Sequence, residues 1–308
     1  MAGIKKLDLC CFSYLASAKV LQINKCPDLN DGAEIDSVIE TLAADAPMVA
    51  ITASRLGLHT GLIANELGND KEGEEISKCL IRNNIVNSVE NNPKRKTPFI
   101  IVLSDENGNR EWFSYTRIAG QDLMNVELSK LQDATLAYID LYEGINSASI
   151  RAINYADKHS APLFLNLSGR LITDKLVQEL RQVSKIAIIQ TSIRETRKEE
   201  AEQFLNHIHS TIQPDISIVT LGEKGAITRN QSRIVRAKAH SVDLVHSHGA
   251  GAAFSSGFAF GYLRNWELET TSQFVCGLGS LSCSRERGFE FFSPEDINDF
   301  IKRNEYLE

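Results

Sequence analysis

The sequence predicts an α/β fold: a three-layer sandwich with a mostly parallel sheet between helices, plus a small β-rich lid. Two patterns carry that expectation. Short apolar runs (Leu136 to Leu141, Leu163 to Leu167, Ile186 to Gln190, Ile216 to Leu221) alternate with helical stretches from Ser147 to His159, Thr173 to Val183 and Arg194 to His209. Strand–helix alternation of this kind builds a parallel sheet covered on both faces. Ahead of it, Phe99 to Leu103 and Trp112 to Thr116 flank the turn Asp105-Glu106-Asn107-Gly108-Asn109, whose Asn-Gly step favours the positive φ angles of a hairpin.

Leu7 to Phe12 reads as a first buried strand. Lys5-Lys6 before it and Ala16-Ser17-Ala18 after it outline a signal peptide only faintly, because Asp8, Ser13 and Tyr14 break the apolar stretch one requires. Lys19 to Ile35 is polar, with Pro27, Asn30, Asp31 and Gly32 as turn signals. A helix follows, with Asp45 as its expected N-cap, Pro47 in its first turn and Gly57 just past its last apolar position. Gly61 to Ala64 is a short strand, and Glu72 to Asn83 an amphipathic helix. Residues 249–263 form a helix crowded with glycine, alanine and serine. The last helix is capped by Ser293, with Pro294 first and acids in its opening turn. No repeat or linker divides the chain, so residues 1–308 are expected to form one domain, with lid segments from about 12–35 and 99–116.

The bulk composition excludes several functions. With 43% hydrophobic residues in 308, the chain can bury a large core. Its net charge is −7, and its densest basic run is only Lys94-Arg95-Lys96, too short to neutralise a track of phosphates. Neither nucleic acid nor an anionic membrane is an expected partner, and no apolar run reaches the length of a membrane span. The cysteines (Cys10, Cys11, Cys26, Cys79, Cys276, Cys283) form no C-x-x-C pair, and Cys79 and Cys276 sit in apolar surroundings. Buried thiols in a reducing, cytoplasmic setting are expected.

Three motifs concern chemistry. The first is Arg55-Leu56-Gly57-Leu58-His59-Thr60-Gly61-Leu62-Ile63, continuing to Gly68-Asn69-Asp70-Lys71-Glu72-Gly73. The second is Val219-Thr220-Leu221-Gly222-Glu223-Lys224-Gly225-Ala226. The third is His248-Gly249-Ala250-Gly251-Ala252-Ala253, running on to Phe258. Glycines at a helix start leave N–H groups uncovered, and the helix dipole adds partial positive charge, so Gly249, Ala250 and Gly251 suit a phosphate. Such a start also serves plain helix–sheet packing, and Gly222 with Gly225 also suits a strand-end turn.

In order and spacing, the three motifs resemble the ribokinase-like (PfkB) family of carbohydrate and nucleoside kinases, from about Asp8 to Gly288. The resemblance implies ATP and Mg2+ as cofactors, with Thr220, Gly222 and Gly225 lining the nucleotide site. It implies an anion hole at Gly249 to Gly251, a small sugar- or nucleoside-like ligand near Ala44, Met48 and Asp70, and lid strands that pair between subunits in a homodimer. The family's Mg-associated Asn-x-x-Glu appears as Ser192-Ile193-Arg194-Glu195. Glu195 suits a metal-bound water or an ordinary helix-start acid.

Departures from the family pattern are equally informative. Its catalytic Asp follows Gly-Ala-Gly; here that position is Ala252. A methyl group accepts no proton, so a general base typically contributing ~10²–10⁴-fold is missing there, while the main-chain anion hole survives. The family's Asp-Thr-Thr before the glycines reads His246-Ser247-His248, its Gly-Gly pair reads Ala43-Ala44, its sugar-contacting Asn reads Met48, and Ser13 to Ala18 offers no carboxylate. His246 and His248 are candidates to replace the base. Two functions follow: an ATP-dependent kinase with weakened transfer, or a pseudokinase that senses a ligand or serves as a scaffold.

Overall fold

The computed structural model describes residues 6–105, 110–169, 173–193, 195–285 and 293–303. The chain opens with β1 (Leu7–Phe12), β2 (Ala16–Gln22) and β3 (Ser37–Ala43), then α1 (Asp45–Arg55), β4 (Thr60–Ile63), β5 (Leu67–Gly68) and α2 (Lys71–Arg82). Short β6 (Val86–Asn87) and β7 (Asn91–Asn92) lead to β8 (Phe99–Ser104), β9 (Arg110–Tyr115) and α3 (Arg117–Leu123). Next come β10 (Ala134–Asp140), α4 (Asn146–Lys158), β11 (Leu163–Asn166), α5 (Asp174–Leu180), β12 (Ile186–Ser192), α6 (Ala201–Ile212) and β13 (Ile216–Thr220). The hairpin β14 (Ala226–Arg229) and β15 (Ile234–Ala237) precedes α7 (Ala250–Leu263), α8 (Leu268–Cys283) and α9 (Pro294–Arg303).

The central sheet has nine strands in the order β15-β14-β13-β12-β11-β10-β1-β4-β6. From β13 to β6 every pairing is parallel, and β14 and β15 close one edge antiparallel. Period-2 alternation in the strands feeds two cores. Leu9, Cys11, Leu136, Tyr138, Phe164, Ile188 and Ile218 pack toward α1, α2, α7 and α8. Cys10, Phe12, Ala137, Ile139, Leu163, Leu165 and Ile189 pack toward α4, α5 and α6. The structure is thus an α/β three-layer arrangement with a mostly parallel sheet. Cys79 and Cys276 are buried, and burial pushes the Cys276 thiol up to about 12.

The lid is a separate four-stranded sheet, β3-β2-β8-β9. Its inner face (Ala16, Ala18, Val20, Ile39, Ala43, Ile100, Val102) packs on Tyr14 and Val245. Gln22 Nε2 donates to the Val245 carbonyl, tying the lid to the segment before α7. The lid boundaries expected from sequence need correction. The first lid segment extends to Ala43, because β3 pairs along the whole of β2. Val38 and the charged Glu40 of β3 face outward, which hid its strand pattern. Residues 106–109 of the expected Asn-Gly turn lie outside the described residues. Asp45 is the first helical residue of α1 rather than its cap, which is Ala44. The stretch expected to be helical from Arg194 divides into a 3-10 segment, Glu195–Glu200, and α6.

Helix α2 has a capped start. Asp70 Oδ1 accepts from Gly73 N at 3.0 Å, Oδ2 accepts from Thr97 N at 2.8 Å, and Thr97 Oγ1 also donates to Oδ1. Burial disfavours the ionised carboxyl, but the bonds from Thr97 and Gly73 outweigh it and hold Asp70 below the usual range. Such a depressed acid stabilises the fold above its unfolded pKa, and that contribution fades as pH falls through the folded value. Asp70→Ala should cost about 1–3 kcal/mol. Urea unfolding at pH 7 and pH 3 checks this, with a larger difference between variant and parent at pH 7.

Candidate functional site

The parallel strands end in a row of polar residues. Asp140 of β10 lies in register with Asn166 of β11, Asn166 with Gln190 of β12, and Ser192 with Thr220 at the ends of β12 and β13. The crevice outside the carboxyl ends of such strands is where α/β sheets hold ligands. Two helices, α1 and α7, begin at this edge and pack along each other.

At the start of α7, Gly249 is the N-cap with φ +87°, a left-handed conformation that suits glycine. No side chain caps this end. Gly249 and Ala250 are partly exposed, Gly251 is exposed, and nothing lies within 4 Å of the point where a Cβ on Gly251 would sit. The first N–H groups of a helix have no carbonyl four residues back, so this turn offers reachable main-chain donors and a positive dipole end. A phosphate group fits it. Ala252, one residue on, is fully buried. Met48 of α1 is also buried, and its Sδ lies 3.2 Å from where a Cβ on Gly249 would sit.

The other sequence-derived positions fall in distinct places. Thr220 is half-buried, and its Oγ1 donates to Thr191 O at 3.4 Å. Gly222 (φ +55°) and Gly225 (φ +85°) bracket the 3-10 turn Gly222–Lys224. A Cβ on Gly225 would come within 2.0 Å of Ala237 O, so this glycine is required by the close approach of β15. Ser192 is exposed beside Thr220. The backbone of Glu195 opens the 3-10 segment, but its side chain lies outside the described residues. Among the described residues no group of three His, Cys, Asp or Glu is arranged to hold a metal ion. Both Asp70 carboxylate oxygens are engaged at the start of α2.

His248 does not fit the part of a replacement base. Its Nε2 lies 2.8 Å from the Leu42 carbonyl, which fixes the proton on that nitrogen as donor. Burial lowers its pKa to about 4, with the nearby charge of Arg110 acting in the same direction. His246 Nδ1 accepts from His248 N at 3.1 Å.

Sequence reasoning missed a cluster beside this turn. Asn166 Nδ2 is shared among Asp45 Oδ2 (2.8 Å), Tyr138 Oη (2.9 Å) and Asp140 Oδ1 (3.0 Å). Asp140 Oδ2 accepts from Ala46 N at 2.9 Å, and Tyr142 Oη accepts from Asp45 N at 3.0 Å. Asp140 is sealed from solvent whereas Asp45 is only partly buried. Burial, then the neighbouring charge of Asp45, raises Asp140 to about 7. Burial raises Asp45 too, against hydrogen bonds from Tyr142 and Asn166 and the charge of Arg110. Arg110 comes from lid strand β9, and its Nη1 donates to Ser247 O at 3.3 Å, just before the glycine turn. The available signal was an acid closing an otherwise apolar strand, since unpaired acids are rarely buried.

A groove of about 340 Å3 lies elsewhere, between the lid and α2, lined in part by Lys19, Glu40 and Arg82. It includes none of the glycine-turn residues, and Lys19 and Glu40 on neighbouring strands of its wall pair at 3.4 Å.

The turn into α1 stores strain. Ala44 has φ +72° and ψ 152°, a region essentially reserved for glycine. This is where the PfkB pattern has a glycine, so the turn keeps a glycine conformation on an alanine. Ala44→Gly should therefore stabilise the protein by about 1 kcal/mol, strain relief outweighing the added freedom of the unfolded chain. A rise in the urea midpoint with unchanged slope checks this.

Comparison with known proteins agrees with this geometry. Residues 46–292 match the family model described as pfkB family carbohydrate kinase. A nucleoside kinase of Methanothermobacter thermautotrophicus is 23% identical over 307 residues, covering 96% of this chain and 95% of that protein. A 5-dehydro-2-deoxygluconokinase of Bacillus subtilis is 21% identical, covering 82% and 84%. Among solved structures, Arabidopsis thaliana ribokinase complexed with ribose and ATP superposes with a TM-score of 0.72 at 16% identity, covering 97% of this chain and 99% of that one. An E. coli chain solved with ATP and Mg2+ gives 0.78 at 16% identity, covering 96% and 99%. These structural likenesses are to the fold. With the family model spanning most of its length, from the first turn of α1 to the segment before α9, this chain belongs to the PfkB family of carbohydrate kinases, as a divergent member.

Proposed function

We propose that the chain binds ATP, accompanied by Mg2+, with its phosphates at the Gly249–Gly251 turn, and that transfer to a sugar- or nucleoside-like hydroxyl is weaker than in the rest of its family. The observation that carries this reading is the contrast between neighbours at the start of α7. Gly251 is open to solvent, while Ala252 has no exposed surface and no proton acceptor. Main-chain phosphate binding survives such a change, because N–H groups and the helix dipole do not depend on the side chain at 252. General-base catalysis at that position does not survive it. The relative from E. coli solved with ATP and Mg2+ supports the choice of cofactors. The nucleoside kinase and gluconokinase relatives support an alcohol acceptor. Among the described residues no helix is long and apolar enough to cross a membrane.

A second reading, a pseudokinase acting as a ligand sensor or scaffold, is favoured by one observation. Met48 stands where the family pattern has a sugar-contacting Asn, and it packs against Gly249. A thioether cannot hold a hydroxyl as an amide does.

Calorimetry with ATP and Mg2+, followed by turnover assays across sugars and nucleosides, separates the two. Binding with slow turnover is expected on the first reading, and binding without turnover on the second. Gly251→Glu places a carboxylate in open space beside the phosphate. It should weaken ATP binding about tenfold or more by like-charge repulsion while leaving the melting temperature within error. Unchanged affinity in that variant would remove the glycine turn as the phosphate site.

A further inference from the structure

Resting on the nucleotide reading above, we propose that Asp45 is the proton acceptor of this site, in place of the side chain missing at 252. Three observations place it there. Asp45 and Met48 are three residues apart on α1 and so share a helix face, and the Met48 Sδ lies against Gly249. Arg110 spans the same ground from the lid, bonding Ser247 O and lowering the charge cost of Asp45. The Asp45 carboxylate is also the outer member of a pair, partly exposed at the crevice while Asp140 is sealed behind it.

The pair can hold one acceptor ready. Two carboxylates held by one amide nitrogen of Asn166 cannot both ionise cheaply in a buried place. Burial raises both carboxyls, Asp140 to about 7. Hydrogen bonds from Tyr142 and Asn166, the Arg110 charge and the N-terminal dipole of α1 favour the ionised form at Asp45, so on this proposal the shared proton sits on Asp140. Titratable and charged groups facing the pair are Cys11 of β1, Tyr14 beyond it, Tyr138 of β10, Tyr142 after it and Arg110 of the lid. In the step itself, the acceptor hydroxyl oxygen bonds to the γ-phosphorus of ATP. The bond from that phosphorus to the β,γ-bridging oxygen breaks, ADP leaves with the electron pair, and the hydroxyl proton passes to the Asp45 carboxylate. Main-chain N–H groups at Gly249–Gly251 face the transferred charge.

Asp45→Asn, which still presents an oxygen to Asn166, is the test, made on the full chain. Carboxyl-carbon NMR of the ligand-free parent is expected to show the pair titrating in two steps. Asp45 is expected to be ionised and Asp140 protonated just below the upper one. Calorimetry is expected to give the same ATP affinity for parent and variant. Turnover with the best hydroxyl acceptor should fall by ~10²–10⁴-fold in Asp45→Asn, and the acid limb of the parent's pH profile should disappear. Unchanged turnover in the variant, or an Asp45 that stays protonated above pH 7, overturns the assignment. ATP binding with no turnover of any acceptor by the parent also overturns it while leaving nucleotide binding standing. Absence of ATP binding in the parent brings down the nucleotide reading itself, and Asp45 with it.

Discussion

Two helix N-termini, those of α1 and α7, converge on the carboxyl edge of one parallel sheet, and the rest of the site depends on that convergence. Each end carries unsatisfied N–H groups and roughly half a positive charge. The two ends are satisfied differently. At α1 the anion is built in: Asp140 Oδ2 accepts from Ala46 N, and Asp45 is the first helical residue. At α7 no side chain caps the helix, and the glycine turn faces outward. One positive end therefore holds buried acids, and the other carries no side-chain cap.

That division explains how a carboxylate pair survives burial. Asp140 alone in an apolar strand end would be costly. Here it has Ala46 N and Asn166 as donors, a helix dipole in front of it, and a raised pKa of about 7 that lets it carry a proton instead of a charge. The strained turn at Ala44 serves the same arrangement, because it delivers Asp45 and Ala46 to the strand ends in one step. Strain of this kind persists where surrounding contacts over-determine it, and Ala43 and Ala44 are both buried, next to a sheet that fixes β3 at one end and α1 at the other.

Much of the framework was legible in the sequence because its signals were local. Apolar runs marked β10 to β13, Ser293 and Pro294 marked the start of α9, and Gly249 to Gly251 marked the start of α7. Elements without a local signal were missed. Helix α8 carries Thr270, Thr271, Gly277 and Gly279, poor helix formers, and is held by packing on α7. Strand β3 shows alternation only once its outward Val38 and Glu40 are set against β2. The acid pair was illegible for a different reason. Asp140 and Ala46, the neighbour of Asp45, are 94 residues apart along the chain, and it takes both the register of β10 with β11 and the docking of α1 to bring the two acids to one amide. Asp45 alone reads as an ordinary helix-start acid.

On the proposed reading, phosphate binding and phosphoryl transfer are separable in this chain. Binding at the start of α7 draws on main-chain atoms, and a substitution at 252 leaves those in place. Transfer draws on a single proton acceptor whose position must match the attacking oxygen within hydrogen-bond reach. At 252 the space that a carboxylate would need is part of the apolar core shared by Met48, Tyr138 and Phe258. Returning a charge to that position would mean burying it against those side chains, at a cost of several kcal/mol unless neighbours change with it. Carboxylates on the α1 side of the crevice already have their donors and their dipole. On the proposed reading, an acid at the start of α1 serves the site without adding negative charge at the end of α7, where it would compete with a phosphate.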